Sequence, residues 1–334
     1  MLHDNTLGAN RWRRFDDWDK RPLRLDNFAV EDPENGFSAM RGAKDPAPGF
    51  QRTGRHISSM DGVAEEQFDM IDLFIARYHL DPDIVDEAMA LPSVEVARML
   101  IDVNVPRGHL VHLAHGMTPA KLAEVVAHLS SMEIAFAYSK MRARATPGNQ
   151  AHVTNAKDDP LQLAADAATA VAFGFDEIET TMRVSRKSLS NALACCVGSA
   201  VGRKGTLFQC SSEEAEELQI GMAGFTSYAE TVSVYGTEGS FIDGDDTPWS
   251  KAFLAAAYAS RGIKMRCTSG AASELLMGFH EAKSLLYLEA RCLCMQRAMG
   301  AQGTQNGGID GAPLAASMPG GVRELMAENL IAVW

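Results

Sequence analysis

The residues best suited to chemistry are polar side chains on short β-prone stretches after residue 145. Gln150 and His152 stand two apart on one stretch, and Glu179, Glu230 and Gln305 follow on later ones. If these stretches are neighbouring strands, the five side chains converge. Two carboxylates and two amide oxygens suit a hard cation such as Ca²⁺, or K⁺, and His152 can donate to a substrate hydroxyl. The alternative, polar residues of a barrel interior that satisfy one another, stays open because spacing alone does not exclude it.

Strand–helix alternation after residue 145 predicts the framework that positions these residues. The β-prone segments are 150–154, 175–181, 205–210, 228–235, 263–268 and 301–306, and helical segments lie near 161–173, 187–200, 212–223, 247–261, 272–299 and after Gly321. Such alternation favours a parallel sheet or barrel whose active site lies at the carboxyl ends of the strands. A (β/α)₈ barrel needs eight units, so six units predict an α/β fold with an incomplete barrel over residues 146–334.

Residues 1–145 are predicted to form an N-terminal arm followed by helices. Residues 1–50 are rich in Asp, Arg, Pro and Gly, and helical periodicity covers 68–77, 82–90 and 93–101. Thr118-Pro119 is a typical helix start. Apolar residues then recur at a spacing of three or four, which predicts one long helix with a single apolar face; they are Leu122, Val125, Val126, Leu129, Met132 and Phe136.

The histidines at 109, 112 and 115 invite a metal interpretation, with His128 beyond them. Side chains spaced three residues apart point in progressively different directions around a helix, and no acidic ligand stands beside these histidines. We therefore interpret them as surface or loop histidines.

Composition excludes several classes of function. The 334 residues are 46% hydrophobic and 22% charged, which are globular values. A net charge of −12 is the opposite of the positive charge expected of a nucleic-acid-binding protein. No apolar run approaches the ~20 residues of a membrane helix. The six cysteines lack metal-binding spacing and are interpreted as small buried residues in a reducing cytoplasm.

Several longer motifs, in order along the chain, resemble one known family. They are K-R-P (20–22), M-R-A-R-A-T-P (141–147), Q-A-H-V-T-N (150–155), Y-A-E-T-V-S-V-Y-G-T-E (228–238), D-G-D-D-T-P-W-S-K (243–251), L-Y-L-E-A-R-C (286–292) and Q-N-G (305–307). Over nearly its whole length the chain resembles the large (α) subunit of adenosylcobalamin-dependent diol and glycerol dehydratases.

The resemblance implies a (β/α)₈ barrel that faces the corrin ring and holds a 1,2-diol inside. In the family, cobalt–carbon homolysis gives an adenosyl radical that takes a hydrogen from the diol; the hydroxyl then migrates, and loss of water leaves an aldehyde. By resemblance, Glu179 also hydrogen-bonds the diol and His152 assists hydroxyl migration. The implied cation ligands are Gln150, Glu179, Glu230 and Gln305; the corrin contacts are Thr181, Glu214, Thr231 and Asp243; and the adenosyl group is expected near Ser233 and Gly270.

The resemblance also implies partners: medium and small subunits in a dimer of heterotrimers, in the cytoplasm or inside a bacterial microcompartment. The arm at 1–50 is a candidate for part of that contact, and its deletion should weaken assembly. The choice between propane-1,2-diol and glycerol, and between Ca²⁺ and K⁺, stays open.

This sequence departs from the family pattern in three respects. Leu276 stands where the family has Gln, and Asp310 stands where it has Ser. The family's last two strands supply an Asp for the diol and a Ser for the cation, and this chain ends before both. We therefore expect the chain alone to be inactive and poorly soluble, with the apolar face of its last helix exposed at Leu330, Val333 and Trp334. The alternative function is a catalytically dead, truncated remnant that only binds partner subunits or cobalamin.

Overall fold

A computed structural model describes the chain in several ranges. They are 57–142, 150–155, 177–182, 206–210, 231–242, 247–260, 266–269, 280–299 and 321–334, together with residues 159–161, 164, 165, 168 and 274. The arm at 1–50, the strand predicted at 301–306 and nearly all of the helices predicted at 161–173, 187–200 and 212–223 lie outside the described residues.

Short helices fill the first half of the described chain. The described chain begins with a hairpin of two short strands, β1 (Ser59–Met60) and β2 (Val63–Ala64), followed by a 3₁₀ turn (Glu65–Gln67). Six helices follow: α1 (Met70–Tyr78), α2 (Val85–Ala90), α3 (Ser93–Ile101), α4 (Arg107–Ala114), α5 (Pro119–Ala127) and α6 (Ser131–Arg142). The predicted helices at 68–77, 82–90 and 93–101 are confirmed. So is the helix start at Thr118, whose hydroxyl accepts from Lys121 N at 3.2 Å.

The long helix predicted through Phe136 is wrong, because the chain forms α5 and α6 instead. Ser130 and Glu133 make a reciprocal capping box between them: Ser130 N donates to Glu133 Oε2 at 2.8 Å, and Glu133 N donates to Ser130 Oγ at 3.4 Å. The new helix start leaves Met132 80% and Phe136 44% exposed. The S-x-x-E signature of the break was present in the sequence.

Basic side chains satisfy the free carbonyls at the carboxyl ends of four helices. After α2, Lys121 Nζ donates to Leu91 O at 2.6 Å, and around the end of α3, Lys140 Nζ donates to Met99 O at 2.9 Å and to Asp102 O at 2.7 Å. After α5, Arg323 Nη2 donates to Leu129 O at 2.8 Å, and at the end of α6, Arg107 Nε donates to Met141 O at 2.7 Å. Positive charge at these ends also interacts favourably with the negative end of each helix dipole.

The second half alternates parallel strands with helices. In chain order it contains β3 (Gln150–Asn155), β4 (Glu177–Met182), β5 (Thr206–Cys210), β6 (Thr231–Val234), α7 (Glu238–Ile242), α8 (Pro248–Ser260), β7 (Arg266–Ser269), α9 (Leu285–Ala298) and α10 (Gly321–Val333). The order β3-β4-β5 forms one parallel sheet, and β6 pairs with β7 in parallel. The described residues are thus mostly helical with small parallel sheets, and the incomplete barrel stays a prediction.

One hydrophobic core contains residues from both sides of residue 145. Phe74 and Leu122 belong to it, and so do Leu288 of α9 and Leu330 of α10. The expectation that the last helix exposes its apolar face is wrong for Leu330 and Trp334, which are 0% and 1% exposed. The indole Nε1 of Trp334 donates to Leu110 O at 3.0 Å. Because α10 packs against α5 and α6, the N-terminal helices cover the face that was expected to need another strand.

The surface interpretation of the histidines is also wrong for two of them. His109 and His112 lie on α4 and are only 3% and 9% exposed. Their neighbours Leu110 and Leu113 are fully buried, and α4 contacts α2 and the indole of Trp334.

Two further sequence expectations can be compared with the described residues. Cys292 and Cys294 on α9 are free and fully buried, which confirms the burial expected for the cysteines at these two positions. Burial raises the pKa of the Cys294 thiol to about 12. No helix within the described ranges combines the length and apolar character needed to cross a bilayer.

The hydroxyl of Thr118 has two partners, and its loss should be measurable. It caps α5 and donates to Asp61 Oδ1 at 2.6 Å. We expect Thr118→Ala to lower the free energy of unfolding by about 1–2 kcal/mol, in chemical denaturation followed by circular dichroism. Thr118→Ser keeps the hydroxyl and should recover most of that loss; equal losses for both variants would contradict the capping role.

Candidate functional site

Strands β3 and β4 bring predicted site positions side by side. Their parallel register pairs His152 with Glu179, Gln150 with Glu177, and Thr154 with Thr181. Alternate residues of a strand share a face, so the backbone places Gln150, His152 and Glu179 on one face of the sheet. The register thus gives the backbone positions of these three residues, and their role as a site stays a prediction.

The described strands also give the place of each position along the chain. Gln150 is the first residue of β3 and Glu179 is the third residue of β4. The predicted cation positions on these strands therefore lie within the sheet. Thr181, predicted to contact the corrin, is closer to the carboxyl end of β4.

Strand β6 carries two of the predicted cofactor positions. Thr231 pairs with Arg266 and Ser233 with Thr268 of β7. Being two residues apart, Thr231 and Ser233 share a face of the strand. Five other predicted site residues lie outside the described residues: Glu214, Glu230, Asp243, Gly270 and Gln305. Within the ranges that the structure describes, no group of three or more His, Cys, Asp or Glu residues could hold a metal ion.

The chain leaves β6 through a tightly held turn, Tyr235–Thr237, which we call the β6 exit turn. The buried carboxylate of Glu274 accepts from Gly236 N at 2.8 Å and from Thr237 N at 2.7 Å, and it also accepts from the Thr237 hydroxyl. Burial raises the pKa of Glu274, although these hydrogen bonds oppose the shift. Its two oxygens accept from three donors, and buried amides such as those of Gly236 and Thr237 require a partner.

Arg291 on α9 holds the same turn from its carbonyl side. Its Nη1 donates to Gly236 O at 2.6 Å, while Nη2 forms ion pairs with Asp69 and with Asp72, the latter at 2.9 Å. The Arg291 side chain is fully buried. One guanidinium thus connects the β6 exit turn to the first turn of α1.

The two aspartates beside Arg291 respond differently to their surroundings. Burial acts to raise the pKa of each, while the positive charge of Arg291 acts to lower it. For Asp69 the attraction and the hydrogen bonds from Arg291 and Asp72 N prevail, so its pKa is lowered. For Asp72 burial and the neighbouring Asp69 charge prevail, so its pKa is raised. Asp69 is therefore the firmer anionic partner.

The exit of β7 is fastened to α9 as well. Glu289 accepts a short hydrogen bond from the hydroxyl of Ser269, the last residue of β7, and Cys292 Sγ lies 3.6 Å from Val234 O of β6. Sequence reasoning missed the contacts that Glu289, Arg291 and Glu274 make with the ends of β6 and β7. The available signal was a pair of charges, Glu289 and Arg291, among the apolar residues in the first half of α9, because such charges are rarely buried unless they are paired.

Comparisons with known proteins extend this picture. The family of dehydratase large subunits matches residues 10–334 of the chain. The glycerol dehydratase large subunit of Citrobacter freundii is 52% identical over 322 residues, which cover 96% of this chain and 58% of that relative. The chain therefore spans less than two thirds of the length of the relative that it matches.

Proposed function

Since the chain belongs to the dehydratase large-subunit family, we propose that it is part of the large subunit of an adenosylcobalamin-dependent diol or glycerol dehydratase. The reaction converts a 1,2-diol to an aldehyde and water. The observation that carries the proposal is the 52% identity over 96% of the chain. The parallel register that sets His152 opposite Glu179 supports it, because both residues are assigned to the diol.

The residues proposed for the cation fit a hard ion. Gln150, Glu179, Glu230 and Gln305 offer only oxygen donors, and two carboxylates balance the charge of Ca²⁺. In this proposal Glu179 also accepts a hydrogen bond from the diol. His152, which the register sets opposite Glu179, donates to the hydroxyl that migrates.

The residues proposed for the cofactor are also compatible with it. Thr231 and Ser233 bear hydroxyls at positions that share one face of β6, and hydroxyls can both donate to and accept from the polar groups of a corrin. Thr181, Glu214, Asp243 and Gly270 complete the proposed contacts. When bound, adenosylcobalamin supplies the radical chemistry, and the protein positions the diol and excludes water.

Reconstitution of the complex tests the proposal. The chain is combined with medium and small dehydratase subunits, adenosylcobalamin, and glycerol or propane-1,2-diol, and aldehyde formation is measured. A second reaction adds a fragment that corresponds to the part of the Citrobacter large subunit that this chain does not cover. We expect aldehyde in the reaction that contains the fragment, because this chain covers 58% of the Citrobacter large subunit and the fragment supplies the rest.

Each other outcome has a defined meaning. No aldehyde in either reaction would contradict the dehydratase proposal and favour a catalytically dead remnant that only binds partner subunits or cobalamin. Rapid aldehyde formation without the fragment would show that the residues of this chain suffice to position the diol.

A further inference from the structure

We propose that Glu274 is a positioning residue that fixes the β6 exit turn and thereby sets the cofactor positions Thr231 and Ser233 on β6; the cofactor part of this inference rests on the proposed function. The β6 exit turn follows β6 directly, so its position determines where the strand ends. Glu274 lies five residues beyond the end of β7. A contact between the two therefore ties together the carboxyl ends of neighbouring parallel strands.

Glu274, Arg291 and the backbone of Leu288 each restrict the position of the turn. Glu274 holds the amides of Gly236 and Thr237 at 2.8 and 2.7 Å, and Arg291 holds the carbonyl of Gly236 at 2.6 Å. On another side the turn packs against α9: a Cβ on Gly236 would lie 2.9 Å from the backbone Cα and O of Leu288. Only glycine fits this approach, and a shift of the turn in that direction would collide with the helix backbone.

The chemistry of the network favours positioning over simple stabilisation. Buried ionic groups often stabilise a fold no better than apolar residues of the same size, because desolvation offsets their attraction. A carboxylate that accepts from two consecutive amides and a hydroxyl does, however, specify one geometry of the turn. The carboxyl ends of parallel strands are also where folds of this class build their sites.

The proposal is tested with Glu274→Gln, which keeps the size of the side chain but replaces one acceptor oxygen by a donor. Glu328→Gln is the matched control, since Glu328 on α10 is equally buried, at 1% exposed against 0% for Glu274. The first readout is hydrogen exchange of the Gly236 and Thr237 amides, which needs no cofactor. We expect exchange at least about tenfold faster in Glu274→Gln than in wild type, the consequence of losing a hydrogen bond to a charged acceptor, and no such change in Glu328→Gln.

The second readout is cofactor binding by the complex reconstituted with its partner subunits and the complementing fragment. Titration with hydroxocobalamin, followed by absorbance, should show affinity about tenfold lower for Glu274→Gln than for Glu328→Gln. The apparent KM for adenosylcobalamin should rise while the KM for the diol stays unchanged. A loss of kcat alone, or equal effects in both variants, would overturn the positioning role.

A second pair of variants, with smaller changes, distinguishes a loss of positioning from misfolding of the chain. Thr237→Val removes one donor to Glu274, whereas Thr237→Ser retains the hydroxyl. We expect weaker hydroxocobalamin binding in Thr237→Val and recovery in Thr237→Ser; failure of the serine variant to recover binding would contradict the proposal. If the wild-type complex binds no hydroxocobalamin, the proposed function fails and the cofactor role of Glu274 fails with it. The exchange measurement still decides whether Glu274 fixes the turn.

Discussion

Replacement of Arg291 by Met should lower the free energy of unfolding by about 3–5 kcal/mol, the cost of removing one partner from a buried ionic cluster. The guanidinium is fully buried, forms ion pairs with Asp69 and Asp72, and donates a hydrogen bond to Gly236 O. Without it, two partly buried carboxylates repel each other and a carbonyl loses its donor. Denaturant unfolding of the full chain, with the slope compared between variants, measures the loss.

Arg77→Met is the matched control for this experiment. Arg77 also pairs with a carboxylate, Glu65, at 2.7 Å, but its side chain is 30% exposed. An exposed pair of this kind contributes about 0–1 kcal/mol. Similar losses for the two arginine variants would show that burial of the Arg291 cluster does not determine its contribution.

Replacement of Glu179 by Gln should reduce kcat/KM of the reconstituted dehydratase by about 10²–10³-fold, the effect of removing one preorganised electrostatic contact from a reacting centre. The proposed function gives Glu179 two tasks, since it binds the cation and accepts from the diol. The amide keeps the shape of the side chain and removes its charge. Aldehyde formation at saturating cation separates a catalytic defect from weaker cation binding.

Glu177→Gln provides the control within the same strand. Glu177 lies two residues before Glu179 on β4 and pairs with Gln150 in the register, yet no role in the reaction is assigned to it. We expect its kcat/KM to stay within a few-fold of wild type. An equally large loss in Glu177→Gln would indicate a general requirement for charge on β4, and the specific role of Glu179 would then be wrong.

The sequence predicted elements well where a local pattern determines them. The strand at 150–154 and the helix at 93–101 are confirmed within a residue, because apolar periodicity and turn residues act over a few positions. The break between α5 and α6 was missed because the apolar spacing continues through the capping box at Ser130 and Glu133. Local capping prevailed over periodicity there.

Contacts between distant segments could not be predicted in the same way. The burial of His109 and Trp334 depends on which helices pack around α4 and α10. The ion pair of Arg291 with Asp69 joins residues 222 positions apart, and no single-sequence pattern specifies such a pair. For the candidate site, residue types indicated a cation-binding chemistry that stays a prediction, whereas the position of His152 opposite Glu179 emerged only from the strand pairing.

The packing of α10 against the N-terminal helices has a consequence for synthesis of the chain. Arg323 donates to Leu129 O from 194 positions away, and Trp334 to Leu110 O from 224 positions away. At a translation rate of roughly 5–20 residues per second, α4 and α5 leave the ribosome about 10–45 s before these partners exist. During that interval the surface of α4 and α5 that α10 later covers is exposed, and this leaves an apolar patch that a chaperone could bind.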